Sequence, residues 1–311
     1  MGTEKYRLLT RSDFDGLACA VLFREMDLID EIKFVHPRDM QAGNIAVSSH
    51  DISANLPWVA GIHLAFDHHE SEVLRGNGAG NGPSHIINPR ALSAARVVYD
   101  HYGGGKRFPE HFAELVQAAD KIDSADYDRQ EILHPRGWTL LGFITDSRTG
   151  FGRFRTFRIS NYDLMMDLID HCRTRTIDEI LVLPDVLERI ELYRRHAEPS
   201  RRQIEESSRV EGNVLVTDLR GAETIYVGNR FLRYALYPQT NISVQVMWGL
   251  HRQNTVITLG KSIFNKTSGV NIGAVMLEYG GGGHENAGTC QVENEQADQV
   301  LAAVVSRIRE D

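Results

Sequence analysis

Cysteine is scarce in this sequence, and the few cysteines present cannot form a disulfide framework. Cys19, Cys172 and Cys290 lie far apart in the 311 residues, and no pair has the Cys-x-x-Cys spacing of a structural zinc site. Isolated cysteines of this kind are typical of reduced residues in a cytoplasmic protein. We therefore expect a cytoplasmic location and no stabilising disulfide bonds.

Two further features are missing: a surplus of basic residues and any long apolar run. Lys and Arg number 34 against 42 Asp and Glu, a formal net charge of −8, whereas proteins that bind a nucleic-acid duplex usually carry a basic surplus. The segment from Met1 to Arg7 is polar and charged, unlike a signal core, and no apolar run approaches the ~20 residues of a membrane span. We expect neither duplex nucleic acid nor a membrane as a partner.

The apolar content that is present, 42% of the residues, suffices for a sizeable core, and the length exceeds one average domain of ~100–200 residues. Short apolar runs alternate with helical patterns in the first half, which favours a sheet with crossover helices. The charged stretch from Leu183 to Val210, where Pro199 would kink or end a helix, marks the junction. We predict a mostly parallel, doubly wound α/β domain over residues 1–190, a helical linker over 191–211, and a smaller α+β domain over 212–311, with a cleft between the domains.

Hydrophobic periodicity also places the individual elements. In the first domain it predicts strands at Tyr6–Thr10, Ile32–Val35, Asn44–Ser48 and Ile62–Phe66, and helices at Gly16–Met26, Leu92–Tyr102, Phe112–Ala119 and Asn161–Cys172. In the second domain it predicts strands at Val214–Thr217, Thr224–Val227, Ser243–Met247, Thr255–Leu259 and Thr289–Val292, and helices at Val270–Tyr279 and Glu295–Ile308.

Acidic and imidazole side chains follow three of the predicted strands. Asp13 and Asp15 follow the first, Asp51 the third, and Asp67-His68-His69 the fourth. Because the carboxyl ends of parallel strands meet at one crevice, these groups are expected to converge. Oxygen ligands mixed with imidazole suit manganese or a similar divalent ion. The alternatives are a helix N-cap for Asp15 and a polar turn for the histidines, but the repetition at three strand ends favours a metal site.

A glycine run near the C-terminus, Gly280 to Gly283, precedes His284. The backbone N–H groups of such a run can converge on an anion, which favours a phosphate-binding role over that of a flexible linker. Earlier in the chain, arginines alternate with phenylalanines over residues 148–158, a pattern that could bind phosphates or stack bases. For this second stretch we favour a half-buried segment whose phenylalanines pack and whose arginines are solvated.

These motifs together resemble those of the DHH phosphoesterases, most closely the exopolyphosphatase-related branch, over nearly the whole chain and in the same order. The matching segments are Ser12-Asp13-Phe14-Asp15-Gly16, Asp51 with Asn55-Leu56-Pro57, Phe66-Asp67-His68-His69, Ala118-Ala119-Asp120, and Tyr279 to Ala287.

The resemblance implies two Mn²⁺ ions, for which Mg²⁺ or Co²⁺ could substitute. Asp51 would bridge both ions, Asp13 would hold one, and the other would be held by Asp15, His68 and Asp120. Asp123 is the alternative to Asp120. His69 would face the scissile phosphate, and Asp67 would orient the histidines. The substrate would be bound by Lys261, Ser262, Gly281, Gly282, Gly283 and His284.

One position departs from the family pattern, because Arg11 stands where the family commonly has a histidine. Arginine cannot ligate a cation, so the ion at Asp13 would bind weakly unless His50 substitutes. Alternatively, the guanidinium of Arg11 binds the substrate phosphate, for which its planar fork is well shaped, and we favour this second role.

The expected function is therefore hydrolysis of a phosphodiester or phosphoanhydride by metal-activated water. The substrate would be small: a short single-stranded oligonucleotide, a nucleotide bisphosphate, a cyclic-dinucleotide product or polyphosphate. The alternative is a nucleotide-sensing or regulatory protein of the same fold with impaired hydrolysis. For the oligomeric state, a homodimer is our candidate.

Overall fold

The computed structural model describes residues 5–75 and 83–309 and divides the chain into two compact units. One comprises Met1–Glu131 and Pro135–Glu191, and the other Ile132–His134 and Leu192–Asp311. One long helix, Pro184–Ser207, begins in the first unit and ends in the second. Pro199 does not end this helix, because a proline removes one backbone hydrogen bond while the flanking turns keep theirs. No helix in the described part of the chain is both long and apolar enough to cross a membrane.

The first unit is an α/β fold with a parallel sheet of strand order β2-β1-β3-β4-β5, as predicted. Its strands are β1 (Tyr6–Thr10), β2 (Ile29–Phe34), β3 (Asp51–Ala54), β4 (Leu64–Asp67) and β5 (His85–Ile87). Its helices are α1 (Phe14–Glu25), α2 (Pro37–Gln41), α3 (Glu70–Arg75), α4 (Ala94–His101), α5 (Glu110–Ser124), α6 (Arg129–Leu133), α7 (Gly137–Thr145), α8 (Asn161–Thr174) and α9 (Ile177–Leu181), and the long helix is α10.

The strand order reverses at β1, which lies between β2 and β3. In an open α/β sheet the crevice beyond the carboxyl ends of the strands at such a reversal is where ligands bind. The loop after β1 and the loop after β3 therefore flank the expected site. Helix α1 follows β1 directly and is buried over Phe14 to Phe23, packing against α4, α5 and α8.

The predicted strand at Asn44–Ser48 is absent, and the next strand begins only at Asp51. Ile45 and Val47 alternate with polar residues as in a strand. They pack as an irregular segment against a cluster that includes Leu9, Val35 and Met40. Their side chains are partly buried without pairing of the backbone, a case that periodicity alone cannot distinguish from a strand.

The second unit holds a mixed sheet of order β10-β11-β9-β8-β7-β6, in which β7 and β8 run parallel and the other neighbours antiparallel. Residues 224–227, predicted as a strand, are irregular. The strands are β6 (Ser208–Glu211), β7 (Val214–Asp218), β8 (Ile242–Trp248), β9 (Thr255–Lys261), β10 (Gly282–His284) and β11 (Ala287–Val292). The helices are α11 (Leu232–Leu236), α12 (Ile272–Leu277) and α13 (Ala297–Arg309), of which α12 and α13 cover the apolar core.

The glycine run is part of this sheet, and two of its four positions, Gly281 and Gly283, pack too tightly for a side chain. Gly282 and Gly283 belong to β10, which pairs with β11. A Cβ atom on Gly281 would lie 2.3 Å from the carbonyl oxygen of Thr289, and one on Gly283 would lie 2.3 Å from that of Ala287. Gly273 of α12 approaches the backbone of Gly283 in the same way. The glycines are therefore required for the close approach of α12 and two strands.

Neighbouring glycines of this run should respond differently to substitution. Gly281→Ala should lower the free energy of unfolding by about 1–3 kcal/mol, because the added methyl group meets a backbone oxygen that cannot move freely. Gly282→Ala is the matched control, since a Cβ atom there meets nothing within 4 Å. Urea denaturation of both variants measures the difference, and equal stabilities would contradict this account of the packing.

Candidate metal centre

Asp15 is buried where the start of α1 meets the start of α4. Its two carboxylate oxygens accept hydrogen bonds from the backbone N–H groups of Ala94 and Ala95, at 2.9 and 2.8 Å. Asp15 thus caps a different helix from its own, and Asp13 is the N-cap of α1, accepting from Gly16. The helix N-terminus stabilises the negative charge, but burial and the neighbouring Asp123 raise the pKa of Asp15 to about 7.

Gly16 allows this turn to form, because a Cβ atom at that position would lie 2.0 Å from the carbonyl oxygen of Arg11. The Asp-x-Asp-Gly sequence therefore serves geometry as well as charge. It directs Asp13 and Asp15 from adjacent turns of backbone into the crevice beyond β1.

His68 and Asp123 complete a group with Asp15 whose ligand atoms all lie within 4.8 Å of one another. The Nε2 atom of His68 lies 3.1 Å from Asp123 and 4.0 Å from Asp15. Its Nδ1 atom lies 3.2 Å from the carbonyl oxygen of Ala91, which can accept the ring proton and leave Nε2 free for a cation. Two carboxylates and one imidazole facing one point form a typical site for a divalent ion.

Asp120, the favoured sequence candidate, does not belong to this group. Its carboxylate accepts two hydrogen bonds from the guanidinium of Arg96, at 2.6 and 3.0 Å, and one from the hydroxyl of Ser93 at 2.7 Å. These contacts tie α4 to α5. Asp123, one turn later on α5, takes the position expected of Asp120.

Asp51 also lies elsewhere, so its expected role as a bridge between two ions is wrong. It is the first residue of β3 and pairs with Arg7 near the start of β1, at the amino edge of the sheet. Its oxygens accept from Arg7 at 2.7 Å and from the backbone N–H of Ser48 at 2.6 Å. The misplaced strand at 44–48 caused this error, because it put Asp51 after a strand and not before one.

The residue that does follow β3 is Asn55, which the sequence reasoning did not select. It lies four residues after Asp51, about 13 Å along an extended strand. Asn55 is buried, adopts a left-handed backbone conformation with φ of 57°, and donates from Nδ2 to Asp13 at 3.0 Å. An amide was overlooked because it carries no charge. Its position directly after a central strand is the feature of the sequence that could have identified it as a site residue.

Arg11 lies against Asp13 and not in open solvent. Its Nε atom is 3.0 Å from the second carboxylate oxygen of Asp13, and its side chain is 39% exposed. Burial raises the pKa of Asp13, whereas the charges of Arg11 and Arg148 act to lower it. His50, considered as a substitute ligand, adjoins Asp51 at the other edge of the sheet.

Asp67 and His69 form a hydrogen-bonded pair beside this centre. One oxygen of Asp67 lies 2.7 Å from the Nδ1 atom of His69 and also accepts from the backbone N–H groups of His68 and His69. Burial alone would lower the pKa of His69, but Asp67 raises it. The pair therefore fixes the ring so that Nε2 is the atom available to a ligand.

Two buried polar atoms at the centre fit the presence of a cation. Asn55 Oδ1 is buried without a hydrogen-bond partner among the described residues, and His68 Nε2, although 3.1 Å from a carboxylate oxygen of Asp123, makes no well-oriented hydrogen bond, whereas almost every buried polar atom of a protein has one. Burial alone would lower the pKa of His68, yet Asp123 and Asp15 raise it to about 9. The donor set of oxygen and imidazole, together with this excess of negative charge, fits a divalent ion such as Mn²⁺ or Mg²⁺.

The predicted substrate-binding residues of the second unit are placed as follows. The Nζ atom of Lys261 pairs with Glu285 at 3.2 Å. The hydroxyl of Ser262 is buried and accepts from the N–H groups of Phe264 and Asn265, so it holds a turn. His284 is exposed at the end of β10, and its Nδ1 atom accepts from the N–H of Asn286.

The stretch of arginines and phenylalanines is mostly structural. Phe151 is buried, Arg158 pairs with Asp185, and Phe157 packs against the buried guanidinium of Arg189. Arg148 differs from these residues, because its half-exposed side chain lies close enough to Asp13 and Asp123 to interact with their charges.

Among known proteins, the chain is similar over its full length to a protein of high sequence identity. The chain is 55% identical to a pGpG-specific phosphodiesterase from Vibrio cholerae, with a TM-score of 0.86, over 99% of this chain and 100% of that chain. The DHH domain of PF0399, a member of the s1p family of ribosomal proteins, shares the fold at 10% identity and a TM-score of 0.53, over 98% of this chain and 87% of that chain. RecJ of Thermus thermophilus with Mg²⁺ does so at 12% identity and a TM-score of 0.50, over 99% of this chain and 50% of that chain. No family model and no curated protein matches the chain.

The choice between Asp123 and Asp120 can be tested directly. Asp123→Asn should weaken Mn²⁺ binding by more than about 100-fold, because it removes a ligand and not merely an outer partner. Asp120→Asn should instead lower the melting temperature with little change in Mn²⁺ affinity, since it loosens the contact with Arg96. Asp126→Asn, an exposed aspartate just beyond α5, is the control for both. Isothermal titration with Mn²⁺ measures the affinities. A larger loss of Mn²⁺ affinity in Asp120→Asn than in Asp123→Asn would show that Asp120 is the ligand.

Cation binding should also release protons and tighten as the pH rises. With a pKa of about 9, His68 holds a proton at neutral pH, and Asp15, with a pKa of about 7, is partly protonated. A cation must displace these protons to reach the ligand atoms. We expect Mn²⁺ affinity to increase from about pH 6 to about pH 9, with proton release seen by titration calorimetry in buffers of different ionisation enthalpy. A constant affinity without proton release would show that other groups bind the ion.

Proposed function

This chain belongs to the DHH phosphoesterases, and from that premise we propose that it hydrolyses the phosphodiester bond of pGpG, a small 5′-phosphorylated guanine dinucleotide. It is a phosphoesterase whose substrate is a small nucleotide. The observation that carries the finer proposal is the 55% identity with a pGpG-specific phosphodiesterase over the full length of both chains. Water would cleave the bond to the 3′ oxygen, so that pGpG yields two molecules of 5′-GMP.

A divalent ion held by Asp15, His68 and Asp123 would polarise the phosphoryl oxygens and lower the pKa of water at the centre. We take Mn²⁺ as the ion. The remaining steps fall to side chains of the chain itself. Arg11 and Arg148 carry fixed positive charges next to the acidic cluster, where they would neutralise charge that builds on the phosphoryl group.

His69 is suited to handle the proton of the leaving group. Asp67 holds its Nδ1 atom and favours the protonated ring, which leaves an N–H at Nε2 to donate to the departing 3′ oxygen. Asp67 thus acts as a positioning residue. Lys261, His284 and the glycine run remain our proposed substrate contacts, with Ser262 supporting the turn beside Lys261.

The substrate proposal is tested by incubating the protein and Mn²⁺ with pGpG and following 5′-GMP. We expect pGpG to be cleaved faster than pApA, which has the same phosphates, and faster than longer guanine oligonucleotides or polyphosphate. Faster cleavage of polyphosphate would overturn the proposal. Binding of pGpG without any product would instead support the sensing role considered from the sequence.

The role of His69 is tested in the same assay. His69→Asn should lower kcat by about 10²–10⁴-fold with Mn²⁺ affinity retained, because the general acid is lost while the cation ligands remain. His63→Asn is a matched control, since His63 lies beside Asp51 at the amino edge of the sheet. The substitution should also shift the alkaline limb of the pH profile of kcat. An unchanged kcat would exclude His69 from the chemistry.

A further inference from the structure

Asp13 differs from the other carboxylates of the centre in having its charge balanced by the permanent charge of a guanidinium. One of its oxygens accepts from the N–H of Gly16 and from the side-chain amide of Asn55, both at 3.0 Å, and the other lies 3.0 Å from the guanidinium of Arg11. Three donors, one of them a full positive charge, therefore surround this carboxylate. Within residues 5–75 and 83–309, no guanidinium lies at hydrogen-bonding distance from the metal-binding group of Asp15, His68 and Asp123.

Asn55 is as informative as Arg11. A carboxylate can only accept hydrogen bonds, so the contact between Asn55 and Asp13 requires the N–H donor of an amide. An aspartate at position 55 would put two negative charges about 3 Å apart in a buried place, which is tolerated only with a cation between them. The amide removes the need for that cation.

We propose that the centre holds a single divalent ion, bound by Asp15, His68 and Asp123, and that the guanidinium of Arg11 permanently occupies the place of a second ion beside Asp13. A dication at Asp13 would have to share one carboxylate with a guanidinium, and the two positive charges repel each other. Arg11 and Asn55 act together, since both supply donors to the same carboxylate. This inference rests on the proposed function in one respect only. In the proposed hydrolysis, the fixed charge of Arg11 stabilises the phosphoryl group in place of an exchangeable ion.

The proposal is tested with Mn²⁺ alone, without substrate, by calorimetric titration and electron paramagnetic resonance of the intact protein. The wild-type protein should bind one ion per chain and show the uncoupled signal of an isolated Mn²⁺. The double variant Arg11→His/Asn55→Asp should bind a second ion and show the exchange-coupled signal of two neighbouring ions. The variant Arg148→His, the control matched to Arg11→His, should remain at one, because Arg148 pairs with Asp146 and not with Asp13.

Two ions and a coupled signal in the wild-type protein would overturn the proposal, and so would an Arg11→His/Asn55→Asp variant that still binds one. Circular dichroism checks that the variants are folded, and Arg11→His alone, which should gain a weaker second ion, replaces the double variant if that one unfolds. Because these readouts use no substrate, they are independent of the function test. One bound ion without pGpG cleavage would leave the single-ion centre standing and overturn only the substrate.

Discussion

Four carboxylates, those of Asp13, Asp15, Asp67 and Asp123, belong to the centre beyond the carboxyl edge of a parallel sheet, and the centre depends on how each negative charge is compensated. An isolated buried charge is too costly to keep, so every member needs its own compensation. Each carboxylate is compensated by a different contact. Asp15 receives the N-terminus of α4, Asp13 receives Arg11 and Asn55, Asp67 holds His69, and Asp123 faces His68.

These contacts do not balance the four negative charges equally, and the difference indicates where the cation binds. Asp13 and Asp67 are paired with permanent or readily formed positive charges. Asp15 has the partial charges of two backbone N–H groups and the imidazole of His68 at 4.0 Å, and burial together with Asp123 still raises its pKa to about 7. The side of the centre that contains Asp15 is therefore where an external positive charge stabilises the structure most.

The sequence predicts much of this arrangement, because it depends on the ends of regular elements. The strand Tyr6–Thr10 has the bounds expected from its apolar residues, and the Asp-x-Asp-Gly turn and the Asp67-His68-His69 triplet follow their strands as predicted. Asp51 was misplaced because Ile45 and Val47 mimic a strand while packing without backbone pairing. Asn55 was missed for a chemical reason, since an amide does not stand out in a search for charged ligands.

The choice between Asp120 and Asp123 depends on partners distant in the chain. Both side chains lie on α5, and helical spacing alone brings either toward the same neighbours. Arg96 and Ser93 of the preceding helix and its cap decide the matter by binding Asp120. Likewise, the glycine run reads as a loop in the sequence, and only the close approach of α12 and β11 shows why side chains are absent there.

Cys19 lies directly behind the centre, with its sulfur 4.0 Å from an oxygen of Asp15. Burial and the charges of Asp15 and Asp13 hold the pKa of this thiol well above its usual range. Peroxides and disulfides react with the thiolate and hardly at all with a buried thiol. The sulfur beside the ligands is thus a poor target for oxidants, and the affinity of the centre for its ion is insulated from the redox state of its surroundings.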